Sequence, residues 1–197
     1  MTTPEDVLAF WFADGPDEMR AVWFERDPAF DAACREQFLE TLHEARTGGL
    51  DHWAETPSGA LALCIVLDQF SRNLFRENAE AFASDEKARE VARDAVRRGF
   101  DRQLTPVERV FLFLPFEHSE HLEDQDESVR LFETLADEPD MAGPGSVIDY
   151  AQRHRDLIRR FGRFPHRNAL LGRISTAAEQ AYLAQEGAGF TRDAPAS

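Results

Sequence analysis

The spacing of apolar and polar residues predicts helix after helix along this chain. Phe30, Cys34, Phe38 and Leu42 recur four apart, which puts them on one face of a helix over about 27–45. The start signals are as regular. Thr3-Pro4-Glu5-Asp6 reads as an N-cap, a proline at the first helical position and acids in the first turn, opening a helix that carries Val7, Leu8, Phe10 and Trp11. Gly48-Gly49 ends the second helix. Pro57 opens a third, with Leu61, Ile65 and Asp68 on one stripe. Ser84 caps a fourth that stops at Gly99, and Thr105-Pro106-Val107-Glu108 and Thr176-Ala177-Ala178-Glu179 are capping boxes. Further helices are expected over about 125–137 and 146–161, on either side of a Gly143-Pro144-Gly145 loop. No segment alternates over a strand's length with β-branched enrichment, so the fold class is all-α. Antiparallel helix pairs in a repeat-like array fit this pattern. An irregular bundle is the alternative, since no repeat of about 34 residues is visible.

The 197 residues are read as a single domain over 1–186, with 187–197, rich in Gly, Ala and Pro, as a flexible tail. Sixteen Phe and three Trp imply a core of large flat side chains and fit an aromatic-lined cavity. Net charge −15 argues against nucleic acid or an anionic membrane as a partner. No apolar run reaches a membrane-spanning length, and MTTPEDVLAFWF has acids where a signal peptide carries bases. Cys34 and Cys64 sit in apolar helical patterns and read as buried thiols. A cytoplasmic location follows from these readings.

The charge is uneven. Met1–Pro144 holds 32 acids and 14 bases, net −18, whereas Gly145–Ser197 holds 5 acids and 8 bases, net +3. Between Arg153 and Arg173 lie seven arginines and two histidines against one acid, Asp156. Gly162 breaks a helix there, and Pro165 suits the first position of the next. The free N–H groups of that first turn, with Arg163 and Arg167, would form a corner for an anion. His166 beside these arginines would stay neutral and act as a base. The plainer reading is that the arginines neutralise acidic helices elsewhere.

Two more polar clusters carry candidate chemistry. In LDQFSRNLFR, Asp68 and Arg72 stand at ion-pair spacing, and Arg72 and Arg76 repeat the interval. Asp68 either belongs to a helix-tying salt-bridge lattice or orients an arginine or histidine that faces a ligand. In LPFEHSEH, Pro115 kinks or ends its helix just before Glu117, His118, Ser119, Glu120 and His121. If the helix resumes, His118 and His121 share a face and could hold a divalent metal. Otherwise the cluster is a solvated helix start or a metal-free acid–base site. GxSxG, CxxC, GxGxxG and P-loop patterns are absent, so no cofactor is assigned.

Together LDQFSRNLFR, LPFEHSE and HRDLIRRFGRFPHRNALLGRIST resemble the signature blocks of the bacterial family DUF924, a domain of unknown function. Phe10-Trp11-Phe12, Trp23-Phe24, Trp53 and the Thr176/Glu179 box also match, from about Pro4 to Leu183. Ser71 departs from the pattern, which carries proline there. The resemblance implies a tetratricopeptide-like superhelical fold and no established activity. Its motif positions here are Asp68, Gln69, Arg72, Asn73, Arg76, His118, Ser119, Glu120, His154, Arg163, His166, Arg167 and Asn168.

Three functions are in view. The first is a polar pocket for a small carboxylate or phosphate, with or without catalysis of a hydrolase type. There His118, Glu120, His166 and Asp68 do the acid–base work, and Arg72, Asn73, Arg76, His154, Arg163, Arg167 and Asn168 bind the ligand. The second is a tetratricopeptide-like interaction module for an acidic or C-terminal peptide. The third is a metal-dependent enzyme using His118, Glu120, His121 and His154. The oligomeric state is left open. All three need the C-terminal arginines and imidazoles to converge with His118.

Overall fold

A computed structural model describes residues 2–13 and 15–185. The expectation of a tail beyond 186 lies outside the described residues. Helices follow one another throughout, and the described residues form no β-strand. None of the described helices is long and apolar enough to cross a membrane.

Local signals set most of the boundaries. α1 (Pro4–Trp11) and α6 (Pro106–Glu117) start from the capping boxes at Thr3 and Thr105, and Asp27 caps α2 (Pro28–Arg46) through the amides of Ala29 and Phe30. Ser146 caps α8 (Val147–Phe161), which closes on Gly162 at φ 69°, a left-handed conformation that favours glycine. Thr176 opens α9 (Ala177–Leu183).

Three expectations are corrected. Ser84 precedes α5 (Asp85–Arg97) but does not cap it. Its hydroxyl donates to the Leu67 carbonyl at 2.9 Å and lies 2.7 Å from the Ser71 hydroxyl, so it ties two helices together. α7 spans Leu122–Glu133, earlier at both ends than expected, because Gln125 does not start it. The Gln125 amide donates to the carbonyls of Glu117 and Ser119, at 2.6 and 2.7 Å, and satisfies acceptors exposed by the end of α6. The helix runs through Pro115 for only two more residues. It ends at Glu117 with His118 as C-cap, and His121 is the residue before α7, so His118 and His121 share no helical face.

α3 (Pro57–Cys64) continues through a π-helical stretch, Ile65–Phe70, into α4 (Ser71–Leu74). Every residue from Gly59 to Ser71 is buried, so this helix is apolar nearly all round and forms the centre of the fold. α1, α5 and α6 pack on α3, α2 packs on the π stretch and α4, and α7 is held between α6 and α8. The aromatic residues gather at one end. Trp11 stacks on Trp23 at 5.8 Å and meets the Phe111 ring edge-on at 5.3 Å, while Phe38 stacks on Phe70 at 4.7 Å. A smaller cluster of Leu157, Ile158 and Phe164 joins the last turns to α8.

Gly59, in the first turn of α3, is pressed against the preceding 3-10 turn, Asp51–Glu55. A Cβ there would stand 2.1 Å from the Trp53 carbonyl oxygen, and backbone cannot yield as a side-chain tip can. Gly59→Ala is therefore expected to lower stability by about 1–3 kcal/mol, read as a shift of the urea midpoint at constant slope.

Candidate functional site

The π stretch carries the buried charge from which the site is built. Asp68 is 1 % exposed. An ionised carboxylate there needs partners from its own helix and its neighbours. Arg72, one turn on, places Nη1 2.9 Å from Oδ1, and the Gln69 amide also donates to the carboxylate. From the end of α6, His118 approaches with Nδ1 at 2.7 and 2.9 Å from the two oxygens. Burial alone would raise the Asp68 carboxyl. Arg72, then His118 and Gln69, outweigh it and hold the group well below the usual carboxylate range.

The imidazole does not become a cation in return. Burial and the charge of Arg72 lower its pKa, and the pull of Asp68 only partly offsets them. Arg72 already supplies the positive charge that Asp68 needs, so the pair is a carboxylate and a neutral imidazole. Asp68 then fixes the proton on Nδ1 and leaves Nε2 as the basic nitrogen. Behind them Asp85 accepts two hydrogen bonds from Arg72, at 2.9 and 3.0 Å.

His118 opens onto a cavity of about 410 Å3. One wall presents Gln69, Arg72, Asn73 and Arg76, the side of the central helix repeating at three and four residues. The apolar part of the lining comes from Trp23, Phe24, Val110, Leu114 and Phe132, with Met19. Arg20, Glu117, Asp140, Ser146, Tyr150 and His154 complete the polar part. His154 places Nδ1 2.8 Å from the Tyr150 carbonyl, and its ring centre lies 6.3 Å from that of His118. Burial pushes the His154 pKa well below the ordinary value. Glu117 is buried near Asp68, and its carboxyl is pushed up to about 8. Asn73 and Arg76 both donate to Asp31 of α2, which anchors that end of the wall.

The other sequence candidates are placed differently. Arg163 points away to α9, with two hydrogen bonds to Glu179 at 2.6 and 2.8 Å, and does not line the cavity. Glu120 does not set an imidazole tautomer. Its carboxylate accepts two bonds from Arg173, at 2.7 and 3.0 Å, and one from the Phe164 N–H at 2.8 Å. That last bond corrects the expected anion corner. Only a three-residue 3-10 turn, Pro165–Arg167, follows, and the chain's own Glu120 occupies the amide before it. His166 and Arg167 lie behind His154, on the far side of Phe164, whose ring is 5.5 Å from each imidazole. Burial and Arg167 lower His166 to about 4. Arg167 is packed between Phe82 and Phe164, 3.5 Å from Asp85, and burial with Arg72 nearby lowers it to about 10. The Asn168 amide donates to Ser175 at 3.0 Å. The three imidazoles thus converge, but only His118 and His154 reach the cavity.

His121 lies instead beside a more open, polar depression between α5 and α7, where Arg89 and Arg93 pair with Asp124. Among the described residues no three His, Cys, Asp or Glu side chains are grouped as a metal would require. Sequence reasoning gave Glu117 no role of its own and missed Tyr150. A signal for Glu117 was present: no arginine or lysine stands three or four positions from it on either side.

The family described as bacterial protein of unknown function (DUF924) matches residues 7–187. A solved structure of a protein of unknown function from Agrobacterium tumefaciens is similar over 92 % of this chain and 96 % of its own, at 39 % identity and a TM-score of 0.82. No curated protein matches the sequence.

Asp68→Asn removes the charge that Arg72 and His118 share in the interior. Its expected cost is about 3–5 kcal/mol in urea unfolding. Arg163→Ala should leave the intrinsic tryptophan emission, to which Trp23 in the cavity wall contributes, unchanged.

Proposed function

The chain belongs to the DUF924 family of bacterial proteins, whose function is unknown, and within it we propose that the cavity binds a small anionic organic molecule on which His118 acts as general base. The observation that carries this reading is the buried Asp68–His118 pair opening onto the cavity, with its proton held on Nδ1 and Nε2 as the basic nitrogen. A base of this kind, poised neutral near pH 7, typically contributes 10²–10⁴-fold to a rate.

The charges facing the cavity support an anion. Arg20, Arg72 and Arg76 line it, against Asp140 and a Glu117 carboxyl that keeps its proton. The acids that balance Arg72 and Arg76 stand behind them, outside the lining. A field of that sign favours a carboxylate or phosphate, and the wall of Trp23, Phe24 and Leu114 favours an apolar body attached to it. A volume of about 410 Å3 suits a compact metabolite better than a peptide.

The lining offers proton transfer rather than covalent catalysis. It includes no cysteine among the described residues, and the Ser146 hydroxyl accepts the Asp149 N–H as the cap of α8. Activation of water for a hydrolysis is the reaction of this class that needs no further group.

The test is a calorimetric screen of small aromatic and aliphatic carboxylates and phosphates, followed by turnover of the binders. His118→Gln should lower turnover by 10²–10⁴-fold with the thermal transition still cooperative. His118 must be neutral to act, so the rate should fall as pH drops through a value below 6.5, the ordinary histidine pKa. A screen without a binder, or turnover indifferent to His118→Gln, would sink the reading.

A further inference from the structure

Glu117 has no task in the general-base reading, yet its surroundings are unlike those of its neighbours. It is 4 % exposed and lines the cavity. The acids behind the cavity wall each hold a guanidinium: Asp31 has Arg76, and Asp68 and Asp85 share Arg72. No arginine or lysine among the described residues pairs with Glu117. The His154 Nδ1 lies 3.2 Å from its Oε1 and is also 2.8 Å from the Tyr150 carbonyl.

The titratable groups facing it are Asp68 from the π stretch, His154 from α8 and His118, the next residue along. α7 contributes the neutral Gln125, which donates to the Glu117 main-chain carbonyl, and Arg93 of α5 is taken up by Asp124 and the Phe116 ring. Burial, with the charge of Asp68 facing it, keeps the proton on this carboxyl to about 8, so at neutral pH it is a donor.

We propose that Glu117 is the proton donor of the site and that the molecule bound there is a small carboxylate or phosphate carrying a second, uncharged carbonyl or ester oxygen that receives the proton. The proposal deepens the general-base reading and rests on it for the anionic ligand. In the step it implies, a water O–H bond breaks and its proton goes to His118 Nε2. The new O–C bond forms at the carbonyl carbon, and the C=O π pair moves onto oxygen, which takes the proton of Glu117. Imidazole and carboxylic acid become imidazolium and carboxylate, with no change in net charge.

The test compares two probe anions, phenylpyruvate and 3-phenylpropanoate, which differ in the internal carbonyl, by calorimetry on the full chain from pH 7 to 9. Wild type should bind phenylpyruvate about ten-fold more tightly at pH 7 and lose that advantage by pH 9, where the ionised Glu117 no longer donates and repels both anions. Glu117→Gln should keep the preference at pH 9, and Glu117→Leu should show none at any pH. In parallel, the carboxyl carbon signal of 13C-glutamate-labelled protein that Glu117→Gln removes should titrate near 8.

Equal affinity for the two probes at pH 7, an alkaline loss that persists in Glu117→Gln, or a carboxyl midpoint near the ordinary 4.5 overturns the donor role alone. Failure of both probes to bind overturns the anionic-ligand reading and the donor role with it.

Discussion

A carboxylate sealed inside an apolar helix governs the middle of this molecule. Asp68 sits in a run whose neighbours are all buried, so its charge has to be met by partners brought from elsewhere in the chain. Arg72 meets it from the same helix and then needs Asp85, and Asp85 is shared with Arg167, held between two phenylalanine rings near the end of the described chain. His118 completes the shell and is oriented by it. The compensation that lets the core tolerate a charge is thus the same set of contacts that presents an imidazole to a cavity with a defined tautomer.

The same bookkeeping of charge decides what the basic C-terminal stretch is for. Its arginines are met by acids: Arg153 by Asp149, Arg159 by Asp126, Arg163 by Glu179 and Arg173 by Glu120. The stretch fastens the last turns to α7 and α9 rather than supplying a surplus of charge. The guanidiniums that face the cavity, Arg20, Arg72 and Arg76, come from the acidic half of the chain. A count of charges along the sequence locates the island but not the site, because burial of the balancing carboxylates behind the wall, not local composition, determines the field inside.

How much was legible in the sequence follows from the range of the interaction that decides each feature. The caps at Thr3, Asp27, Thr105 and Thr176, the stop at Gly162 and the Asp68–Arg72 pair are settled within a turn or two, and all were readable. Ser84 misled because a side chain at an N-cap position can find a better partner across an interface, here the Leu67 carbonyl. Gln125 lies inside α7 rather than at its start, and its amide serves the carbonyls of Glu117 and Ser119. The π stretch left no periodicity to read, since a helix buried all round shows no polar face against which a slip of register could be seen. The fates of Glu120 and Arg163 depend on pairings across 53 and 16 residues, beyond the reach of any local spacing.

Adjacent residues in a helix diverge by about 100°, so an acid and a base that follow each other should face different surroundings. Glu117 and His118 both line the cavity at the end of α6, yet each meets different groups. Pro115 lacks the N–H that the Phe111 carbonyl would accept, yet the helix runs on to Glu117, and His118 closes α6 as its C-cap, its own N–H reaching the Leu114 carbonyl at 2.9 Å. The imidazole turns to Asp68, while the carboxyl stands beside His154 among buried groups. The Gln125 amide then takes up the carbonyls that the early stop leaves open. The end of α6, with its open carbonyls taken up by a single glutamine, thus sets side by side in one cavity a carboxyl that burial holds neutral and an imidazole that Asp68 orients.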